Sequence, residues 1–368
     1  MKANDLSSVC RVFKVRPKYL TKGEIGVEVE VEGDRLPTEV EGWRVEHDGS
    51  LRGGLEYVFN SPKSVEEGMS CLDDLQRAFE ESESKIPESV RAGVHVHINV
   101  QDMDVVQLMT FISCYLVLEE TLVRFCGENR QGNLFCLRAF DAQFLPYALH
   151  QAVVNKDMLC LHSDYLRYAS VNLKALSEYG SLEFRAMRST PNIQLIKDWV
   201  NILLEVKKSS LTFKDPKEVI MAMSMDGQEQ FAARCLGEYF NLLNHEGLAQ
   251  SVKECARNIQ MFAFSTDWEK FKNSFSAPVN PFIEAVDGKV EGKAADGGWA
   301  EIIRKNQEVV FGGRRVVRPN PRRVDIAPDI WEGVFNQPPL DKAKVKAAQE
   351  LNAIAFLKGK PERLDEDF

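Results

Sequence analysis

The sequence predicts an α+β fold in which short strands lie side by side and are backed by amphipathic helices. Three observations predict it. Four short segments alternate charged and apolar side chains with period two, as half-buried strands do. Longer segments between and after them carry apolar residues at helical spacing. The stretches joining the two kinds are rich in Gly, Pro, Asp and Ser. With 368 residues, 44% hydrophobic and 27% charged, the chain has ample material for a buried core.

The elements follow in order. Residues 24–32, 43–48 and 54–60 read as strands, with turns at Gly33-Asp34 and Gly49-Ser50. A helix is expected over 64–85: Ser64 caps it, Glu66 and Glu67 suit its first turn, and Pro87 stops it. Its buried positions are Met69, Leu72, Leu75 and Phe79. A strand at 93–100 precedes a long helix at 104–125, which Asp102 or Asp104 caps and Gly127 closes. A further helix is expected at 141–154, then strands over 165–173 and 181–187, then a helix at 192–208 opened by Pro191. From 216 to about 275 the pattern is helical. Residues 278–298 read as a Pro/Gly-rich loop, 311–324 as a basic irregular segment and 340–358 as a last helix. The chain therefore divides into a core at 20–210 that holds the chemical residues, a helical extension at 211–277 and a loop-rich region at 278–368.

Bulk properties narrow the function. A net charge of −9 argues against general nucleic-acid coating. Eight scattered cysteines with no C-x-x-C pair suit reduced thiols and give no cysteine zinc site. No apolar signal core opens the chain, and the longest apolar run, Phe111 to Leu118, is too short to span a bilayer. The expectation is a soluble cytoplasmic protein without a membrane partner. Oligomeric state is left open.

The chemistry concentrates on the strands. In Gly26 to Glu32, Glu28, Glu30 and Glu32 share one face and Val27, Val29 and Val31 the other. Gly93 to Val100 places His95, His97 and Asn99 together. Glu183 and Arg185 share a face, and Glu56 adds another acid. Laid side by side, these strands crowd acids onto one surface, and that repulsion calls for a cation. Divalent ions take carboxylates and imidazole, and Arg forks onto phosphate. The plainer readings are solvated strand faces, a structural histidine and an exposed ion pair. Two His and a Glu also suit a zinc hydrolase. No G-x-x-x-x-G-K-[ST] or G-x-G-x-x-G loop is present, so a bound nucleotide would lie on a sheet face. The arginines at 314, 315, 318, 322 and 323 read first as a solvated loop and second as a clamp on an anionic substrate.

Taken in order, Gly26-Val27-Glu28-Val29-Glu30, Asp48-Gly49-Ser50, Glu56 ahead of Ser61-Pro62, Gly93-Val94-His95-Val96-His97, Asn172 and Glu183-Phe184-Arg185 resemble the amidoligase family of carboxylate–amine ligases. That family is grouped with glutamine synthetase and glutamate–cysteine ligase. The resemblance spans roughly residues 20–190 and departs in one place, where Tyr57 to Asn60 separate Glu56 from Ser61. It implies a glutamine-synthetase-like antiparallel sheet curved into a partial barrel, with ATP and two or three Mg²⁺ or Mn²⁺ ions in its mouth. It implies Glu28, Glu30, Glu56, His95 and Glu183 as metal ligands, and His97 and Arg185 as contacts to nucleotide phosphates. Asp48, Asn99, Arg167, Asn172 and Arg188 become substrate or phosphate contacts, with Arg185, Glu56 and Asp48 the catalytic candidates. The implied activity is ATP-dependent joining of a carboxylate to an amine, neither substrate being identified. The rivals are a guanidino-kinase-like phosphotransferase, a metal-dependent hydrolase and a non-catalytic binding module.

Overall fold

The computed structural model describes residues 8–276, apart from 140, 142 and 143. The expected region 278–368, with its five arginines and terminal helix, lies outside the described residues. Six strands form one open sheet: β1 (Ile25–Glu32), β2 (Trp43–Glu46), β3 (Gly54–Phe59), β4 (Gly93–Asn99), β5 (Val171–Asn172) and β6 (Ser181–Arg188), in the order β2-β3-β1-β4-β6-β5. Every neighbouring pair is antiparallel.

Alternation sorts the two faces. Val27, Val29, Val31, Val94, Val96 and Ile98 are fully buried on one face, and each such side chain contributes about 1.5–3 kcal/mol. Helices cover that face. They are α2 (Val65–Glu81), α3 (Val105–Cys126) and α6 (Ile193–Ser210), with the one-turn helices α1 (Ser8–Val12) and α5 (Ala175–Tyr179) and the longer α4 (Phe144–Asn155) around them. The helices α7 (Pro216–Asp226), α8 (Gln228–Leu236), α9 (Leu248–Ala263) and α10 (Trp268–Ser276) belong to the same compact unit, and α7, α9 and α10 all pack on α3.

Helix α3 is the centre of the core. Its 22 residues are buried on nearly every side, not along a single stripe, because the sheet lies against one flank and α6, α7 and α9 against the others. Among the described residues it is the helix long and apolar enough to cross a membrane, yet 89% of its apolar window is buried by protein. Phe111 and Tyr115 pack on Phe184 of β6, with ring centroids 5.8 and 4.7 Å apart. A capping box fixes its start: the Asp104 carboxylate accepts from the Val106 and Gln107 N–H groups, and the Gln107 side chain returns to the Asp104 N–H. Ser64 and Glu67 form the equivalent box on α2.

Two expected elements differ. The strand expected over 165–173 is a 3-10 helix at Asp164–Tyr168 followed by the two-residue β5. The i to i+3 bonds Leu166 N–H to Ser163 O and Ala169 N–H to Leu166 O close those turns before pairing with β6 begins. Helix α2 stops at Glu81, ahead of Pro87, because Glu83 adopts a left-handed φ of 50°.

Candidate active site

The uncovered face of the sheet carries the acids, and strand register decides who meets whom. Glu28 stands opposite His95 and Glu30 opposite Glu56. His97 stands opposite Glu183, which itself faces Asn172. One surface thereby collects Glu28, Glu30, Glu56, His95, His97, Asn172, Glu183 and Arg185.

The contacts are close. His95 Nδ1 lies 3.1 Å from Glu28 Oε2 and 3.7 Å from Glu183 Oε1, and its Nε2 lies 3.7 Å from Glu30 Oε1. His97 Nε2 lies 3.3 Å from Glu28 Oε1, and its Nδ1 lies 3.0 Å from the Ser181 hydroxyl, which fixes the ring. Asn172 Nδ2 donates to Glu183 Oε2 at 2.6 Å, and Arg185 pairs with Glu183 Oε1. Glu30 Oε2 accepts from the Gly93 N–H at 2.8 Å. Burial is deep: His95 is 4%, Glu183 7% and Glu30 8% exposed.

The charges act on one another. Burial alone would raise Glu28, but hydrogen bonds from His95 and His97 and their positive charge hold it well below the usual carboxylate range. Burial would lower His97, but its hydrogen bond to Glu28 and the charges of Glu183 and Glu28 raise it. Glu183 is raised by burial and lowered more by His97, Arg185 and His95. At Glu56 burial first, then Glu28 and Glu30, push the pKa up to about 7; the charge of His95 lowers it but does not prevail.

The donor set fits a divalent cation. Ligand atoms from Glu28, His97 and Glu183 all lie within 4.8 Å of one another. Two carboxylates and an imidazole make a mixed oxygen and nitrogen set that hard and borderline divalent ions accept. The imidazole in this trio is His97, whereas the sequence resemblance gave the metal to His95 and the phosphate to His97. His95 sits among three carboxylates beside it.

A cleft of about 570 Å³ opens next to this trio, lined among others by Tyr19, Gly26, Arg44, Asn60, His97 and Tyr179. Gly26 makes part of its floor: it pairs with His97 across the sheet and adds no side chain of its own beside Glu28. A Cβ there would already lie 3.4 Å from His97 Cβ. Tyr179 meets both Tyr19 and His97 edge to face, at 5.2 and 5.7 Å. Gln101 ties this wall together by donating to the Tyr19 and Tyr179 carbonyls and accepting from the Thr21 N–H.

The remaining sequence candidates are placed as follows. Asp48 caps its own turn by accepting from the Ser50 N–H at 2.7 Å, and its charge helps raise Glu56. Asn99 lines the cleft with its amide engaged by the Gly23 carbonyl and the Gln101 N–H. Arg188 and Arg167 are held elsewhere. Arg188 Nη1 donates to the Cys126 carbonyl at 3.0 Å, where the C-terminal end of α3 attracts a cation. Arg167 is exposed and lies over the Tyr168 ring, 4.8 Å from its centroid.

Sequence reasoning passed over three supporting residues. Gln101 is one. Glu119, in the middle of α3, is 1% exposed and accepts from the Ser170 hydroxyl and, at 2.8 Å, from the Ala139 N–H. Burial outweighs these bonds and raises its pKa to about 7. The Ser170 carbonyl in turn receives the Arg185 N–H at 2.8 Å. Arg130 is the third, 1% exposed behind β6. The signal for both charged residues was a charge in an apolar run or loop, which sequence alone cannot tell from a solvated one.

Comparison with known proteins comes to the same place. No curated protein matches the chain. Among solved structures, a "novel glutamine synthase homolog" aligns with 69% of this chain and 74% of its own at 12% identity, and its TM-score of 0.28 supports no inference about fold or activity. The family model described as "Putative amidoligase enzyme" matches residues 9–206, more than half of the chain and all of the strands that carry the site. On that match, the chain belongs to this amidoligase family.

Proposed function

We propose that this protein is an ATP-dependent carboxylate–amine ligase that forms an amide or isopeptide bond through an acyl phosphate. The observation that carries the reading is the convergence of four carboxylates and two imidazoles on one sheet face beside a cleft of about 570 Å³. Family membership supports a ligase.

A carboxylate is a poor electrophile. A carboxylate oxygen of the substrate attacks the γ-phosphorus of ATP, the bond to the β-phosphate oxygen breaks and ADP leaves. The amine lone pair then forms the C–N bond, the C–O bond breaks with its electrons on phosphate, and the amine's extra proton passes to solvent. Both steps redistribute phosphoryl charge, so positioning and charge neutralisation are what the protein supplies. Glu28, His97 and Glu183 would hold divalent metal, which supplies neutralisation of the triphosphate when bound. Arg185, held against Glu183, offers its remaining donors to the transferring phosphoryl oxygens. Asn172 fixes the second Glu183 oxygen. The Tyr19–Tyr179 wall over Gly26 gives the nucleoside a flat surface.

The test is ATP, Mg²⁺ and hydroxylamine with a panel of amino-acid and peptide carboxylates. A ligase traps an acyl hydroxamate. A kinase leaves a phosphorylated product and no hydroxamate, and a hydrolase works without ATP. Glu28→Gln and Glu183→Gln should each abolish ADP release with the fold retained, and wild-type turnover in both would remove this reading.

A further inference from the structure

We propose that Arg130 is a positioning residue for both flanks of the acid face, setting Glu30 on one side and Arg185 on the other through main-chain carbonyls. The proposal rests on the ligase reading only for its kinetic consequence.

The pairing of β4 with β6 is irregular at one place. Val94 pairs with Met187 and Val96 with Phe184, so Arg185 and Ala186 together oppose His95. A bulge of this kind re-aims a side chain and takes backbone groups out of the ladder. Such groups need partners when buried. Arg130 supplies them: its Nε donates to the Ala186 carbonyl at 3.1 Å and its Nη2 to the Arg185 carbonyl at 2.8 Å. The third donor, Nη1, reaches the Ala92 carbonyl on β4's approach at 3.4 Å.

That last bond matters because of what the same peptide unit does next. The carbonyl of Ala92 and the N–H of Gly93 belong to one planar group. Its oxygen accepts from Arg130 and its N–H donates to Glu30 Oε2 at 2.8 Å. One guanidinium thus holds the peptide that holds Glu30, and also the carbonyl of Arg185. Among the described residues these three hydrogen bonds run to main-chain carbonyls, and the Cys136 thiol also meets the guanidinium. Burying a charge this way is costly, and a planar fork with three directed donors is what the three carbonyls require. Gly93 belongs to the same device: a Cβ there would lie 3.0 Å from Arg130 Nη2 and 3.3 Å from the Met187 carbonyl. The glycine that opens the G-x-H-x-H segment therefore leaves the guanidinium room that a side chain would crowd.

The experiment compares Arg130→Lys, Gly93→Ala and, as a stability control remote from the site, Val252→Ala in α9. Lysine keeps the charge but cannot reach three carbonyls. Three quantities are read: Mn²⁺ affinity by electron paramagnetic resonance, hydrogen exchange of the ¹⁵N-glycine amide of Gly93, and ADP release. Arg130→Lys should retain Mn²⁺ affinity within about threefold, because the Glu28–His97–Glu183 trio is untouched, while kcat falls about 10- to 100-fold with KM for ATP little changed. The wild-type Gly93 amide should exchange at least about tenfold more slowly than the same amide in Arg130→Lys. Val252→Ala, at equal or greater loss of stability, should keep kcat. A folded Arg130→Lys with kcat within about twofold of wild type and an unchanged Gly93 amide overturns the proposal. If the lysine variant does not fold, Gly93→Ala carries the kinetic test with the same thresholds. If wild type shows no turnover of ATP at all, the ligase reading falls. The exchange rate still decides the positioning claim: loosening of Gly93 upholds it and unchanged exchange ends it.

Discussion

Replacing Glu119 by Gln should make the protein more stable in alkaline solution and leave it nearly unchanged in mild acid. Glu119 is buried in α3 and its pKa is raised from the ordinary value of 4.5 to about 7. The folded state therefore keeps a proton that the unfolded chain gives up near 4.5. Stability from this group is complete below about 4.5, declines as pH rises, and is lost once pH passes about 7. At about 1.4 kcal/mol per pH unit, the whole gap is about 3 kcal/mol, of which about 2.5 falls between pH 5 and pH 8. Glutamine is uncharged like the protonated form and never ionises, and its oxygen can accept where Glu119 accepts now, from the Ala139 N–H or the Ser170 hydroxyl. Urea denaturation of both proteins at pH 5 and pH 8 gives the difference directly, since every other titration cancels between them. The advantage of Glu119→Gln should grow by about 2.5 kcal/mol between the two conditions at unchanged m. Parallel pH profiles would refute the reasoning, because they would mean that Glu119 is ionised inside the fold at no cost.

Gly26→Val should fill the cleft beside His97 and weaken binding of an ATP analogue by about tenfold or more, with the smaller change in Mn²⁺ affinity. Isothermal titration of each ligand separates the two, and equal ATP-analogue affinity would remove the cleft from the nucleotide site. Phe111→Ala should cost about 3–5 kcal/mol in urea denaturation, since its ring is fully buried against Phe184. Gly54→Ala should destabilise by about 1–3 kcal/mol, because a Cβ there would lie 2.3 Å from the Val31 carbonyl and the strand must shift to admit it. Tyr115→Phe removes the donor to the Ser170 hydroxyl and should cost about 1 kcal/mol.

The sequence by itself determined five of the six strand segments and which side chains share a face, while at 165–173 it took a 3-10 turn for part of a strand. Period-two alternation over Gly26 to Glu32 needs no partner to be read, because the pleat turns successive side chains to opposite sides. It likewise announced the start of α2 at Ser64 and of α3 at Asp102 or Asp104, of which Asp104 is the cap, because caps are local bonds. The acids, imidazoles and Arg185 were legible for the same reason. The tertiary structure alone decided register: that Glu56 meets Glu30, that Glu28 meets His95, and that His97 joins Glu28 and Glu183. Pairing between distant strands is fixed by the packing of the whole sheet, and nothing within one strand records it. The bulge opposite His95 belongs to that class, and so do Arg130 behind it, the cleft over Gly26 and the turning of Arg188 to the end of α3. Each depends on groups far apart along the chain, and a charge in a loop carries no local mark of whether water or three carbonyls will surround it.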